Sequence, residues 1–423
     1  MRSGGNETYT QPFPEGRGEV DIQQGDMPHL PIPPLLRGTQ AGSFAEDTIV
    51  RRLPEMVRRV LSENGFDGST NDRLRNLAAD LPHGLIRPLL DEQAPDWLDW
   101  QQALQPFLGQ SWLEVPLFAA EMYFFRRVLE ATGYFQPGHG YGADPYRLQK
   151  RLGLAQAEPA LAQALPHGLT AIEERLQRLI MLSLWGNQAD LSLWPVQGES
   201  GGKAQGGGGG AHLLVDQSSI AAKQLEELDG GRVELLLDNF GVEICFDLLL
   251  ADTLLTLNPR LSIRLHVKPY PCFVSDLITA DVAQALQWMK SDSPDWAQPA
   301  AERLGQAEAT GRLQVASHFY WASPGPAWEM PPDLRDDLGG AAFLISKGDI
   351  HYRRWLGDAG WASTTLLEAI IDPPAPLLLL RVLKSDVVAG LSPGQAEEIR
   401  RCDPDWKVNG QWGVIQAVKP KLP

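Results

Sequence analysis

Apolar and polar positions follow one rhythm in the first half of the chain and another in the second. In the first half, apolar residues recur at the three- and four-residue spacing of amphipathic helices, as in "SFAEDTIVRRLPEMVRRVL", "FAAEMYFFRRVLEATGYF" and "TAIEERLQRLIMLSLW". Ser43 with Glu46, and Thr170 with Glu173, have the spacing of a capping box at a helix start. This pattern predicts a mostly helical domain over residues 39–195.

In the second half, short apolar runs alternate with helical stretches. Four runs have the length and composition of buried strands: "GRVELLLDN", "RLSIRLHVK", "GGAAFLISKGD" and "PAPLLLLRVLK". Helical stretches such as "GVEICFDLLLADTLL" and "TADVAQALQWMKS" lie between them. Such alternation is typical of a largely parallel sheet covered by helices on both faces. We therefore predict the α/β class, with an α/β/α sandwich over residues 213–423.

Two segments follow neither rhythm. Residues 1–38 are rich in proline, glycine and polar residues, which predicts an extended or disordered arm. Residues 196–212 contain five consecutive glycines, and fixing them in one conformation would cost much entropy. The segment lacks the G-x-x-x-x-G-K-[ST] spacing of a phosphate-binding loop. We predict a flexible surface insertion.

Composition narrows the class of protein. The 423 residues are 43% hydrophobic and 21% charged, as in globular chains long enough for two domains. No apolar run of about 18 residues and no apolar signal-peptide core is present in the sequence. The net charge of −16 argues against nonspecific nucleic-acid binding. The three cysteines form no C-x-x-C pair, as is usual in a reducing cytoplasm. From the apolar runs, the charge and the cysteines together, we expect a cytoplasmic protein without nucleic-acid or membrane partners.

Polar residues stand at or just beyond the end of each predicted strand. They are Asp238 and Asn239 after the first strand, His266, Lys268, Ser275 and Asp276 after the second, Ser346, Lys347, Gly348, Asp349, Arg353 and Arg354 after the third, and Arg381, Lys384 and Asp386 after the fourth. In open parallel sheets, ligands bind beyond the carboxyl ends of the strands. Carboxylate and amide oxygens suit a hard divalent cation, and the basic groups around them suit an anion.

Simpler explanations exist for several of these residues. Asp238 or Asp276 alone is as well explained as a helix N-cap, although the pair Asp238–Asn239 exceeds what a cap needs. A single His266 at a strand end is more often hydrogen-bonded in place than bound to metal. Glu121 in the helical domain is better explained by a surface or interdomain ion pair than by a role in a substrate lid.

With these residues in place, the chain resembles the metal-dependent damage-control phosphatases, a family long described as a domain of unknown function. Within that family it is similar to the branch of the acidic-residue methyltransferase-like protein. The resemblance covers nearly the whole chain. The segments that carry it are, in order, "SFAEDTIVRRLPEMV", "EMYFFRRVLEATGYF", "DPYRLQK", "LWGNQADLSL", "LLLDNFGVEICFDLLLAD", "HVKPYPCFVSD" and "SKGDIHYRR".

The resemblance implies that residues 213–423 form a metal-binding catalytic domain, and it implies which residues form the site. Asp238, Asn239 and Asp276 would hold a divalent metal, namely Mn²⁺, Mg²⁺, Co²⁺ or Ni²⁺. Asp238, Asp276 and Lys384 would be catalytic. The implied substrate contacts are Asp238, Asn239, Asp349, Ile350, His351, Tyr352, Arg353 and Lys384. Val382 stands where the branch has threonine, and His351 where it usually has asparagine, so the finer substrate preference stays open.

We therefore predict a metal-dependent phosphatase that hydrolyses small phosphate monoesters, such as sugar phosphates or damaged phosphometabolites. Metal-activated water is favoured over an aspartyl-phosphate at Asp238, because no second aspartate follows two positions later to act as the acid. Glu243, in the family's D-N-x-G-x-E pattern, is expected to hydrogen-bond behind the metal ligands.

A methyltransferase and a non-catalytic binding protein are the two alternatives to the phosphatase. An S-adenosylmethionine-dependent methyltransferase of protein carboxylates would need a glycine-rich turn where this chain has "DNFG". A non-catalytic binding protein would be expected to have lost one of the three metal ligands. Tight dependence on a metal distinguishes the phosphatase from both.

Overall fold

The centre of the protein is a seven-stranded sheet with the strand order β1-β7-β6-β5-β2-β3-β4. This computed structural model describes residues 27–81, 83–164, 171–186 and 212–421. The strands are β1 (Leu213–Asp216), β2 (Gly231–Leu236), β3 (Leu261–Val267), β4 (Leu313–Ser317), β5 (Phe343–Lys347), β6 (Leu377–Val382) and β7 (Gly413–Val418).

The N-terminal part of the described chain is helical, as its spacing predicts, and has an apolar core of its own. Its helices are α1 (Phe44–Asp47), α2 (Leu53–Glu63), α3 (Gly68–Asp80), α4 (Trp97–Leu104), α5 (Leu117–Thr132) and α6 (Arg147–Leu154), with a π-helical turn at Thr48–Arg52. Trp112 and Tyr123 lie fully buried in that core. Ser43 Oγ accepts a hydrogen bond from the backbone nitrogen of Glu46 at 3.1 Å, which confirms the N-cap of α1.

Helices cover both faces of the sheet, so the predicted α/β/α sandwich is confirmed. On one face lie α7 (Ala157–Ala164), α8 (Ile172–Trp185), α9 (Ser218–Glu226), α10 (Val242–Leu257), α11 (Thr279–Ser291) and α12 (Gln298–Ala309). On the other lie α13 (Pro332–Gly339), α14 (Gly348–Trp355), α15 (Leu367–Ile370) and α16 (Gln395–Cys402). Leu235 and Leu378 belong to the first apolar cluster, and Leu236 and Leu379 to the second. Burial of both faces explains why the strands are continuous apolar runs.

The strand directions confirm a largely parallel sheet. The five neighbouring strands β6, β5, β2, β3 and β4 run parallel, while β7 pairs antiparallel to β6 and β1 pairs parallel to β7. All four predicted strands are present, as β2, β3, β5 and β6. Three further strands are absent from the sequence prediction. β1 and β4 are outer strands of four and five residues, and β7 carries the polar Gln416, which interrupts its apolar pattern.

The predicted domain boundary at residue 195 does not coincide with the packing of the helices. Helices α7 and α8 fall in the predicted helical domain, residues 39–195, but they pack into the apolar cluster on the sheet. The residues of the arm before 27, Thr170, and all of the glycine-rich insertion except residue 212 lie outside the described residues. The domain boundaries stay a prediction. Within the described ranges, no helix is long and apolar enough to cross a bilayer.

The central strand β2 supplies a test of this architecture. Leu235 is fully buried in it, so we expect Leu235→Ala to lower the free energy of unfolding by about 2–5 kcal/mol, because a cavity remains in the core. Leu366 is 68% exposed, and Leu366→Ala should change it by less than about 0.5 kcal/mol. Urea denaturation followed by circular dichroism measures both. Equal midpoints for the two variants would contradict the placement of Leu235.

Candidate active site

A cavity of about 170 Å³ lies at the carboxyl ends of the parallel strands. It lies where the strand order reverses, because β3 and β4 follow on one side of β2, and β5 and β6 on the other. Such a reversal opens a crevice between the loops that leave neighbouring strands. The charged and amide side chains lining it are Asp238, Asn239, Glu243, Lys347, Asp349 and Lys384. The predicted convergence is therefore present for the ends of β2, β5 and β6, whereas no described residue of the loop that follows β3 lines the cavity.

Asn239 is held by hydrogen bonds on both sides of its amide. Its Nδ2 donates to Asp238 Oδ2 at 2.6 Å and to Glu243 Oε2 at 3.1 Å. Its Oδ1 accepts from Ser275 Oγ at 2.6 Å. The predicted contact of Glu243 behind the candidate ligands is thus confirmed. Asp238 and Asn239 lie in the loop and Glu243 in the first turn of α10, which begins at Val242, directly after the loop.

Asp276 reaches Asn239 through the backbone. The two residues form an isolated antiparallel bridge, which brings the loop after β3 against the loop after β2. Just before it, Phe273 and Val274 have positive φ angles of 46° and 59°, a conformation that costs about 1–3 kcal/mol per non-glycine residue. The loop is therefore held in a strained shape that directs Ser275 towards Asn239. Asp276 itself does not line the cavity.

Gly348 lets β5 come close to Asp238. Its φ is +88°, which favours glycine, and a Cβ there would collide with the Asp238 carboxylate. Glycine at the first position of α14 is therefore required by both backbone shape and space. It allows the residue after it, Asp349, to reach the same cavity as Asp238.

Lys347 is tied up in a buried cluster of charges. Its Nζ lies 2.8 Å from Glu243 Oε1 and 2.5 and 2.6 Å from the two oxygens of Asp247. Asp247 Oδ1 also accepts from Ser183 Oγ at 2.6 Å. Burial opposes the charge of Lys347, but the carboxylates of Asp247 and Glu243 outweigh it and raise its pKa. Lys347 thus joins β5 to α10. Glu243, which Lys347 holds in place, in turn fixes Asn239 by accepting a hydrogen bond from its amide.

The carboxylate of Asp349 is held by hydrogen bonds, whereas the ammonium of Lys384 is not held by any described residue. The Asp349 carboxylate accepts from Arg381 Nε at 2.8 Å and from Ser385 Oγ at 3.0 Å. Burial alone would raise the pKa of Asp349, but Arg381 and Arg353 outweigh it and lower the pKa. Lys384 is exposed and lines the cavity, and its ammonium makes no hydrogen bond or ion pair with the residues that the structure describes.

Burial raises the pKa values of the Asp238 and Asp276 carboxyl groups, so a bound cation would stabilise their ionised forms. Burial, Glu243 and Asp276 raise the pKa of Asp238 well above its usual range, against the opposing charge of Lys384. Burial raises the pKa of Asp276 to about 7 despite Lys268, whose Nζ is 3.6 Å from Asp276 Oδ2. That oxygen has no hydrogen-bond partner among the described residues although it is buried.

The donor set therefore fits a hard divalent cation, which would restore the ionised carboxylates. Asp238 and Asp276 would supply two carboxylates, and Asn239 one amide, as its oxygen donors. In the described part of the chain, no three His, Cys, Asp or Glu residues come together as a metal site.

Four of the implied substrate contacts do not line the cavity. Ile350 packs into the core of the helical domain. His351 Nε2 lies 3.3 Å from Lys268 Nζ, and Tyr352 Oη lies 3.1 Å from Gln416 Oε1. Arg353 is buried in contact with carboxylates. Of the segment Asp349–Arg353, only Asp349 reaches the cavity, so a substrate contact for the other four stays a prediction.

Two simpler interpretations are confirmed. Glu121 forms an ion pair of 2.6 Å with Arg353, which links α5 to α14 between the helical domain and the sheet. Arg353 also binds Asp358 at 2.7 Å. His266 Nε2 contacts Glu234 at 2.7 Å, as expected of a histidine hydrogen-bonded in place.

Sequence reasoning missed two parts of the site. Asp247 stands among apolar residues in "EICFDLLLAD", and a charged residue at such a position needs a buried partner. That signal was available. Leu184 and Trp185, which line the cavity from the end of α8, belong to the segment "LWGNQADLSL" that carries the resemblance, but their apolar type alone is consistent with any buried helix end.

Comparisons with known proteins show which chains this one is similar to. The family model described as damage-control phosphatase ARMT1-like domain matches residues 48–399. The zebrafish (Danio rerio) damage-control phosphatase ARMT1 is 30% identical, covering 92% of this chain and 97% of its own length. The human (Homo sapiens) protein of that name is 28% identical, covering 92% and 99%. A DUF89 family protein from Pyrococcus horikoshii aligns with a TM-score of 0.44 at 13% identity, covering 88% of this chain and 98% of that one.

The contacts of Lys347 lead to a prediction. In Lys347→Met, Glu243 and Asp247 would remain buried without their cation, so we expect a loss of about 3–5 kcal/mol in the free energy of unfolding. Lys290 is exposed on α11, and Lys290→Met should change it by less than about 0.5 kcal/mol. Urea denaturation measures both. A Lys347→Met protein that keeps its midpoint and loses only activity would show that the ammonium serves the substrate instead.

Proposed function

The chain belongs to the ARMT1-like damage-control phosphatase family and is a phosphatase of that metal-dependent family. From this premise we propose that it hydrolyses small phosphate monoesters, such as sugar phosphates or damaged phosphometabolites, at the cavity described above. One observation carries the proposal. The unpaired ammonium of Lys384 shares a small cavity with Asp238 and Asn239. A phosphoryl group needs this combination of a free cation and a metal-binding oxygen set.

We assign the divalent metal to Asp238, Asn239 and Asp276. Bound there, Mn²⁺, Mg²⁺, Co²⁺ or Ni²⁺ would act as a Lewis acid on the phosphoryl oxygens and lower the pKa of water. The chain keeps the ligands in place through Ser275 and Glu243, which hold the two sides of the Asn239 amide. Carboxylate and amide oxygens suit Mg²⁺ or Mn²⁺, and availability would decide among Mn²⁺, Co²⁺ and Ni²⁺.

Lys384 supplies the positive charge for the phosphoryl oxygens. The other cation of the cavity, Lys347, is held by Glu243 and Asp247. Arg353 and Arg381 also bind carboxylates of the protein. Because Lys384 is exposed and its ammonium is not bound to another described residue, it can follow the charge that develops as the ester bond breaks. Asp349, fixed by Arg381 and Ser385, is placed to accept a hydrogen bond from a hydroxyl of the substrate.

Attack by water remains the favoured route. The second residue after Asp238 is Phe240, which cannot protonate a leaving alcohol, so an aspartyl-phosphate mechanism lacks its usual acid. Asp238 Oδ2 is also occupied by the hydrogen bond from Asn239 at 2.6 Å. The cavity volume of about 170 Å³ is below the 300–1,000 Å³ of sites for larger ligands. This favours compact esters over nucleotides.

Metal dependence is the first prediction. Protein stripped with a chelator should release no phosphate from a panel of sugar phosphates and p-nitrophenyl phosphate. Adding Mn²⁺, Mg²⁺, Co²⁺ or Ni²⁺ should restore turnover, and Asp238→Ala should abolish it. Calorimetric titration with Mn²⁺ should show weaker binding in Asp238→Ala and Asp276→Asn, which tests the ligands independently of activity. Turnover in the stripped protein, or unchanged Mn²⁺ affinity in both variants, would contradict the proposal.

The role of Lys384 gives the second prediction. Lys384→Ala should lower kcat/KM by about 10²–10³-fold, or about 2.7–4 kcal/mol of transition-state stabilisation, by analogy with a deleted oxyanion-hole donor. Its stability should not change, because the ammonium has no partner among the described residues. Lys223→Ala removes an exposed lysine of α9 that pairs with Glu227 and serves as the control. Wild-type kcat/KM in Lys384→Ala would disprove the assignment.

A further inference from the structure

The loop that carries Asp276 leaves the sheet after β3 and packs into the core of the helical domain. We call residues 268–278 the ligand loop. Cys272 is a buried member of that core, and Phe273 and Val274 pack against it. Both Phe273 and Val274 have positive φ angles, which non-glycine residues keep only where surrounding contacts hold them. The helical domain therefore supplies contacts that keep the ligand loop in its strained shape.

The second half of the ligand loop is hydrogen-bonded to the loop after β2. The backbone nitrogen of Phe240 donates to the carbonyl oxygen of Ser275 at 2.7 Å, and that of Leu277 donates to the carbonyl oxygen of Asp238 at 3.0 Å. The backbone on both sides of Asp276 is thus tied to the loop that carries the other candidate ligands. Where the chain meets that loop depends on the turn just before it, at residues 273 and 274.

Phe125 of α5 supports this turn. Its ring centroid lies 4.5 Å from that of Phe273, with 40° between the ring planes. Phe125 is itself buried, and its ring also packs edge-on against Phe124 at 5.1 Å and Tyr146 at 6.0 Å. The core of the helical domain therefore fixes the ring on which Phe273 rests. Asp276 follows Phe273 by three residues.

The helical domain also holds both ends of the ligand loop. Near its start, Trp100 Nε1 donates a hydrogen bond to Tyr270 Oη at 3.2 Å. Just beyond its end, Lys150 Nζ of α6 lies 2.7 Å from Asp281 Oδ2. The same oxygen accepts from the backbone nitrogen of Ile278 at 2.9 Å. The ligand loop is thus anchored to the helical domain at its start, at its strained turn and at its end.

From this geometry we propose that the helical domain holds the ligand loop in its metal-binding shape, and that Phe125 is a positioning residue that acts through Phe273 on Asp276. The proposal rests on the metal ligands assigned with the function proposed above. Groups that orient metal ligands without touching the metal commonly contribute 10–100-fold to its affinity. The segments "EMYFFRRVLEATGYF" and "DPYRLQK" contain Phe125 and Lys150, neither of which lines the cavity, and the proposal gives both segments a role.

The test measures metal binding in two variants of the helical core. Phe125→Leu keeps an apolar side chain but removes the ring contact with Phe273. Ile49→Ala is the control, because Ile49 is fully buried in the same core, beside Gly38, and its truncation also costs stability. Calorimetric titration of metal-free protein with Mn²⁺ gives the affinity. Phosphate release from p-nitrophenyl phosphate is measured at limiting and at saturating Mn²⁺.

We expect Phe125→Leu to weaken Mn²⁺ binding about 10-fold, and Ile49→Ala to bind Mn²⁺ as the wild-type protein does. Saturating Mn²⁺ should return kcat of Phe125→Leu to nearly the wild-type value, because the variant keeps all three candidate ligands. A purely structural role of Phe125 would not give this rescue. Unchanged Mn²⁺ affinity in Phe125→Leu, or an equal loss in Ile49→Ala, would overturn the proposal.

A double variant tests the route from Phe125 to the metal. Phe273→Leu removes the same contact from the loop, where the residue is only half-buried, and should weaken Mn²⁺ binding to a similar extent. If Phe125 acts through Phe273, the double variant should lose no more affinity than either single variant, whereas independent losses would multiply and contradict this route. Weaker binding in Asp276→Asn with unchanged binding in Phe125→Leu would leave the metal assignment standing and remove only this inference. Wild-type affinity in Asp276→Asn would overturn both.

Discussion

The buried ammonium group of Lys347 holds the active-site end of the sheet together. Glu243 and Asp247 lie one helical turn apart on α10, and both are buried. Two carboxylates so placed cannot both stay charged without a cation between them. Lys347 supplies that cation from the end of β5 at 2.8 and 2.5 Å. Because Glu243 then binds Asn239, the position of a candidate metal ligand depends on an ion pair that does not itself touch the metal site.

Pairing with carboxylates also distinguishes the structural cations near the cavity from Lys384, the one proposed to bind phosphate. Arg353 is bound by Glu121 and Asp358, and Arg381 by Asp349. Each of these buried guanidinium groups satisfies a carboxylate that would otherwise be unpaired, and Arg353 also fastens the helical domain to α14. Lys384 stands outside this network. The protein thus places many basic residues near the cavity and leaves one of them, among those described, available to a phosphate.

The sequence predicts which strand ends form this site better than it predicts which helical side chains enter the cavity. Asp238 and Asn239 interrupt an apolar strand–helix unit, and the ends of parallel strands must meet, so their convergence with Lys384 was readable from the sequence. The direction of a helical side chain was not. In the segment Asp349–Arg353, the first residue faces the cavity and the next ones face two different cores, because a helix turns about 100° per residue. Similarity to a motif alone cannot show which of its residues reach the ligand.

The apolar lining of the cavity belongs to the apolar cluster on the α8 side of the sheet. Leu184, Trp185 and Leu380 line the cavity and are buried members of that cluster, so changes to them would disturb the core. Val382 is different, because it is only half-buried and packs against the cluster from outside it. Residue 382 is therefore where an apolar side chain of the cavity can change at the least cost in stability.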